Sequence, residues 1–313
     1  MRPFQFLADI HEIVSGDELA ARAKRAEDMG YHAVVIPDHL LGQFSPTIAL
    51  ATAAAATTSL RLSAFVMNND LRHPAVLAQD LASIDVLSGG RVDVAIGAGW
   101  NKPEYDAIGL PFDPTPVRQA RLAESITVLK GLFSGEPFSF AGEHYTITDY
   151  SAEPRTVQRP HPPFFIGGGG RRTLTLAARE ADIVGLAPRI GKGATLDTRS
   201  ITWEGTREKI DWVREAAGDR FDALTLNIYP SAWAPTITDD VRGEARRVID
   251  ALRERTGVEL TEDEAIDSPH LFIGSVDGLV EKFLRLREEL GICSILLGDL
   301  DELAPVLERL AGQ

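Results

Sequence analysis

The sequence predicts an α/β protein of the (β/α)8 TIM-barrel class, with insertions on the C-terminal face of the barrel. Three observations carry this expectation. Short apolar runs alternate with helix-length segments, and eight such runs fit within 313 residues. The runs are continuously apolar, as strands of a parallel sheet buried on both faces must be. No linker rich in Pro, Gly or Ser divides the chain, so residues 1–313 read as one domain, and so many repeats favour a closed barrel over an open sheet.

In chain order, a strand over 4–8 precedes a helix over 17–29, which Asp17 is placed to cap by accepting a free backbone N–H. Gly30 follows where a left-handed residue ends a helix. A strand over 33–36, a helix over 45–57 and a strand over 60–66 come next, then a helix over 74–87. Pro74 opens that helix, where its missing N–H is no loss. The strand over 92–96 runs into a first insertion, 100–116, broken by Pro103, Pro111, Pro114 and Pro116 before the next helix. A second insertion, 138–147, sets Gly142-Glu143 between two β-like runs and reads as a hairpin. Strands over 163–166 and 183–186 flank a helix over 172–180. A third insertion, 188–201, carries Gly191, Gly193, Thr195 and Ser200 and reads as a mobile loop. A helix over 203–217 leads to a strand over 224–229. Helices over 239–256 and 275–290, the second capped by Ser275, precede the strand over 292–297, and a helix over 300–310 closes the chain. Loops that follow barrel strands lie on the catalytic face, which makes all three insertions walls or lids.

Composition narrows the partners. At 44% hydrophobic residues the chain can fill a sizeable core. A formal net charge of −14 disfavours nucleic acid or an anionic membrane as partner. The single cysteine, Cys293, excludes an internal disulfide, fits a reducing compartment and sits in an apolar run as a small buried residue. The N-terminus lacks the apolar core of a signal peptide, and no run approaches the ~18 residues of a membrane span. These features together predict a cytoplasmic protein.

Four segments carry candidate chemistry. Pro37-Asp38-His39 follows the second strand, which aims two polar side chains at the barrel mouth. An imidazole there exchanges a proton near neutral pH and an adjacent carboxylate assists it; the alternative is that Asp38 caps a turn and His39 fills space. Phe65-Val66-Met67 ends the third strand, either as a bulge pressed on a flat ring or as a simple strand end. Gly97-Ala98-Gly99-Trp100 ends the fourth: glycines admit close backbone approach and the indole can stack on an aromatic ligand. Lys102, three residues after Gly99, rules out the dinucleotide fingerprint. Gly167-Gly168-Gly169-Gly170-Arg171 follows the fifth strand and opens a helix, offering free N–H groups and charge to a phosphate. The seven histidines show no metal-binding spacing, no metal is expected, and no G-x-S-x-G marks a nucleophilic serine.

Longer stretches around these segments resemble the bacterial luciferase-like family. They are residues 26–39, residues 85–100, Gln158-Arg159-Pro160-His161-Pro162-Pro163 with the glycine run, Ala177-Ala178-Arg179-Glu180-Ala181-Asp182, and residues 271–277. The likeness covers nearly the whole chain and is strongest to the branch that uses the deazaflavin coenzyme F420. It implies a ring bound at the strand C-termini, on a bulge with a non-prolyl cis peptide matching Phe65–Val66. It implies a cofactor phosphate received by Gly168, Gly169, Gly170 and Arg171. Asp38 and His39 match a pair that contacts the ring and assists proton transfer. Trp100 departs from the sugar-phosphate dehydrogenases of the branch, which carry an acid there; Glu104, on a flexible loop, is the nearest substitute, and both residues are assigned to the substrate side.

The resulting expectation is an F420-dependent oxidoreductase that moves a hydride between cofactor and a small organic substrate. The alternatives are an FMN-dependent monooxygenase served by a separate reductase, or a cofactor-binding protein without catalysis. With few basic residues beyond Arg189 and Lys192 on the expected walls, the substrate is taken as apolar or neutral. A homodimer through the alanine-rich outer faces of the second and third helices follows from the resemblance, and an F420- or flavin-reducing enzyme is a further partner.

Overall fold

The computed structural model describes residues 2–10, 15–40, 42–190, 196–231, 233–256 and 259–313. Eight strands form the barrel wall: β1 (Gln5–Asp9), β2 (Ala33–Ile36), β3 (Arg61–Ala64), β4 (Val92–Gly97), β5 (Phe164–Gly168), β6 (Ile183–Leu186), β7 (Thr225–Ile228) and β8 (Ile292–Leu296). They hydrogen-bond in the order β3-β2-β1-β8-β7-β6-β5-β4, and β3 also pairs with β4, so the order returns on itself as a closed (β/α)8 barrel. Burial on both faces explains the unbroken apolar runs: every residue of β2, β4 and β8 is buried.

The helices are α1 (Gly16–Met29), α2 (Pro46–Ala56), α3 (Pro74–Ser88), α4 (Lys102–Ile108), α5 (Thr115–Phe133), α6 (Arg171–Glu180), α7 (Trp203–Ala217), α8 (Val241–Thr256), α9 (Glu262–Asp267), α10 (Val276–Leu290) and α11 (Ala304–Leu310). Gly30 has φ +86°, as a left-handed end residue should. Ser275 caps α10 by accepting from the Gly278 N–H. The expected cap at Asp17 is corrected: Asp17 lies inside α1, and the Ser15 hydroxyl oxygen accepts from the Glu18 N–H at 3.1 Å. Glu104, expected on a flexible loop, lies in α4. The second insertion is a hairpin, Phe138–Ala141 against Thr146–Tyr150. In the third, Ile190 bridges to Leu196 and Thr198–Ile201 forms a 3-10 turn. Gly191, Lys192, Gly193 and Thr195 lie outside the described residues, as does His11.

The chain packs as two compact units, Met1–Asp9 with Asp28–Ala33 and Ile166–Gln313, and Ile10–Glu27 with Val34–Phe165. In the second of these, α2 and α3 bury small and medium residues such as Ala53, Ala54, Leu81 and Ala82. The Glu27 carboxylate accepts from the Thr58, Ser59 and Leu60 N–H groups at 2.8, 2.6 and 3.1 Å. Burial works to raise its pKa, but the bonds from Ser59, Thr58 and Leu60 prevail and hold it far below the ordinary carboxylate range. Asp85, fully buried, likewise accepts from Val157 and Gln158 N–H groups and the Gln158 amide. In the first unit, β1 pairs with β8 from Gln5↔Ser294 to Leu7↔Leu296. A separate apolar cluster under α8 and α9 gathers Val248, Leu252, Leu271 and Ile273. Among the described residues no helix is long and apolar enough to cross a membrane.

Candidate active site

The segment after β2 divides its two polar side chains between different partners. Asp38, 5% exposed, accepts from the Asn68 N–H at 2.8 Å and from both terminal nitrogens of Arg72 at 2.6 and 3.0 Å. This bidentate pair leaves the carboxylate no part in holding the neighbouring imidazole. His39 instead sets its Nδ1 2.8 Å from Glu104 Oε1. Glu104 is 2% exposed, while the His39 side chain is about a quarter exposed. The Trp100 ring meets the His39 ring edge-on, centroids 5.7 Å apart, and stands 74% exposed.

Local structure explains how Glu104 reaches this place. Pro103 occupies the first turn of α4, where it suits the helix, and Gly109 ends the helix at φ +71°. Tyr105 anchors the helix: it is fully buried, with its hydroxyl 3.0 Å from both Asn68 Oδ1 and Asp70 Oδ2. Burial, then Asp70, pushes the phenol up to about 12 against the opposing effect of its bond to Asn68, so it stays a hydrogen-bond donor.

The end of β3 is a bulge. Ser63 pairs with Asp93 and Met67 with Ile96, so four steps along one strand match three along the other. The Phe65–Val66 peptide within it is cis, as the family resemblance implies. Phe65 packs on Phe165 with centroids 5.2 Å apart. A Cβ on Gly97 would come within 2.8 Å of Val66, and one on Gly99, at φ +75°, would collide with the Tyr105 hydroxyl. The carbonyls of Ala98 and Gly99 accept from buried Arg118, which lies over the Phe112 ring. The result is a shelf of backbone and small side chains whose glycines admit nothing larger.

After β5 the glycine run is built differently. A Cβ on Gly168 would press on the Thr173 side chain, and one on Gly169 would run into the Pro188 carbonyl. The Ala187 N–H donates to the Gly168 carbonyl at 3.0 Å. Gly170 faces open space and begins α6 with no side-chain cap and no acid in the first turn. A helix start of this kind suits an anion, so the segment fits a phosphate. Arg171, expected to add charge, is exposed and pairs with Glu215 at 2.7 Å.

The first two insertions wall a concavity of about 380 Å³, lined among others by Arg72, Leu110, Pro111, Arg121, His144 and Tyr145. Its arginines are committed: Arg121 binds Asp70 and Asp113, and Arg72 binds Asp38. In the third insertion Arg189 binds Asp197 at 2.6 Å. Among the described residues no cluster of three or more His, Cys, Asp or Glu forms a metal site.

The family model for luciferase-like monooxygenases matches residues 1–253. An FMNH2-dependent dimethylsulfone monooxygenase of Pseudomonas putida is 33% identical over 62% of this chain and 49% of its own length. An F420-dependent glucose-6-phosphate dehydrogenase of Nakamurella multipartita is 33% identical over 66% of this chain and 60% of its own. The chain thus spans about half to three fifths of the length of these curated relatives. The structure of the coenzyme F420-dependent tetrahydromethanopterin reductase of Methanopyrus kandleri superimposes with a TM-score of 0.77, covering 99% of this chain and 98% of that one at 21% identity.

Proposed function

The chain belongs to the luciferase-like monooxygenase family, and from that premise we propose that it is an F420-dependent oxidoreductase acting on a small, apolar or neutral organic substrate. One observation carries the reading: His39, held by buried Glu104 and flanked by Trp100, beside a shelf that only glycine and a bulge can form. The shelf of Phe65, Val66, Met67, Gly97, Ala98 and Gly99 would hold the ring, and the run Gly167–Gly170 would hold a phosphate. When bound, the deazaflavin supplies hydride chemistry.

The chain supplies the proton and the orientation. Glu104 Oε1 holds the Nδ1 of His39 at 2.8 Å, which fixes the ring plane and leaves Nε2 to exchange a proton with a substrate oxygen as the attached carbon gains or loses hydride. Trp100 limits how the ring and a substrate can move. Asp38 orients this segment through Arg72 and Asn68. The exposed apolar residues Ile48 on α2 and Val76 and Leu87 on α3 suit a second copy of the chain as partner.

A second reading, an FMN-dependent monooxygenase supplied by a reductase, is favoured by the likeness to the Pseudomonas putida enzyme. Fluorescence titration of the cofactor-free protein with F420 and, separately, FMN separates the two. F420 bound at least about tenfold tighter, a gap of ~1.4 kcal/mol, supports the deazaflavin reading. The reverse order moves the assignment to the monooxygenase, and binding of neither removes both.

A further inference from the structure

A buried chain of polar groups links the end of β7 to the end of β6. Lys209, on α7, is 1% exposed, and its Nζ donates to the Ala187 carbonyl at 2.8 Å. Nζ also lies 3.0 Å from Nε2 of His270, which is fully buried. His270 Nδ1 lies 2.9 Å from Ser231 Oγ, and the Ser231 hydroxyl donates to the Tyr229 carbonyl at 2.9 Å. The serine proton is therefore spent, and its oxygen accepts from the imidazole. That places the ring proton on Nδ1 and leaves the Nε2 lone pair for a Lys209 N–H.

A buried ammonium is costly to keep, so its partners point to its use. Ala187 joins this buried chain to the glycine run. Its N–H holds the Gly168 carbonyl, and the next carbonyl, that of Pro188, fills the space a Cβ on Gly169 would need. Whatever fixes Ala187 and Pro188 sets the path of the glycine run. We propose that Lys209, supported by His270 and Ser231, is a positioning residue that shapes the phosphate-receiving loop through the Ala187 carbonyl. This rests on the reading of the glycine run as a phosphate site.

Burial, with Arg189, lowers the Lys209 pKa to about 7 against the opposing pull of Asp197. Burial and the Lys209 charge hold His270 well below the ordinary imidazole range, which keeps its ring neutral. Arg189 and Asp197 pair with each other, and Arg171 at the start of α6 is taken by Glu215 of α7. Protonation of Lys209 is thus the titration near neutrality that acts on the Ala187 carbonyl.

The test uses the full chain and two probes that share a ring, FMN and riboflavin, titrated between pH 6 and 9. The same series is run with F420 and its phosphate-free deazaflavin core, so that either ring preference is covered. The wild-type preference for the phosphate-bearing probe should fall as pH rises through about 7. Lys209→Met should lower that preference about tenfold at pH 6 and flatten its pH profile, with affinity for the phosphate-free probe unchanged. Comparison with the variant removes the phosphate's own titration. Equal loss for both probes, or an unaltered pH profile, would overturn the proposal. If Lys209→Met does not fold, Ser231→Ala breaks the chain at its far end and must reduce the same preference; no change there also overturns it. A wild-type protein that binds the two probes of a pair equally at every pH would instead overturn the phosphate reading of the loop.

Discussion

After β2, β3 and β4 the backbone is held by side chains: Arg72 grips Asp38, Glu104 grips His39, and Tyr105 ties α4 to Asn68 and Asp70. After β5 it is held by the lack of them, with Thr173 and the Pro188 carbonyl filling the places where Cβ atoms would stand. The first arrangement suits a reacting group, which must be aimed and must exchange a proton. The second suits an anion, which needs backbone N–H groups and nothing in front of them. A polar substitution is therefore expected to damage chemistry in one region, and an added methyl group to damage binding in the other.

The largest effect is expected at His39. Replacing it with Ala should lower kcat about 10²- to 10⁴-fold while cofactor affinity, read by fluorescence titration, is preserved. Glu104→Gln should follow in the same direction with a smaller loss; full activity in that variant would show that the pair only packs. Asp38→Ala acts on folding instead, because it strands the Arg72 guanidinium. It should cost about 3 kcal/mol of stability in urea unfolding. In the glycine run, Gly169→Ala should weaken phosphate-bearing probes about tenfold, whereas Gly170→Ala, which faces open space, should stay within about twofold. Matched losses at both positions would mean that the run is merely a flexible turn.

A further effect concerns pH. Lys209 has its pKa lowered to about 7 from 10.5, and Lys282, by burial first, to about 8. Between those values and 10.5 the unfolded chain binds more protons than the folded one, so stability rises with pH. The penalty is complete below the folded values and vanishes above 10.5. Lys209→Met should remove the slope between about pH 7 and 8 and roughly halve it above, in denaturant titrations run from pH 7 to 10.

Local physics made much of the barrel readable. Ala33–Ile36 and Ile183–Leu186 form strands at the expected residues because a strand buried on both faces has no alternative but an apolar run. The helix α9 was not anticipated, although Thr261 and Glu264 form a capping box whose S/T-x-x-E spacing is visible in the sequence. The bulge was one of two readings, because pairing register belongs to two strands and is written in neither. The pairing of His39 with Glu104 is hidden for a similar reason: the two stand 65 residues apart, while another carboxylate, Asp38, lies beside the histidine in sequence. Proline content made 100–116 look irregular, whereas Pro103 starts a helix. Lys209 and His270 gave no signal at all, since each lies in a stretch whose pattern is ordinary and only the fold brings them together.

The pairing of β1 with β8 joins residues roughly 290 positions apart, nearly the full chain. During synthesis at ~5–20 residues per second, β1 waits about 15–60 s for that neighbour to be made. Through that interval an apolar strand edge stays open to other chains, and a transcript cut short before β8 leaves it open for good. Overproduction faster than release is therefore expected to yield aggregates seeded at β1, and co-expressed holdase chaperones to relieve them.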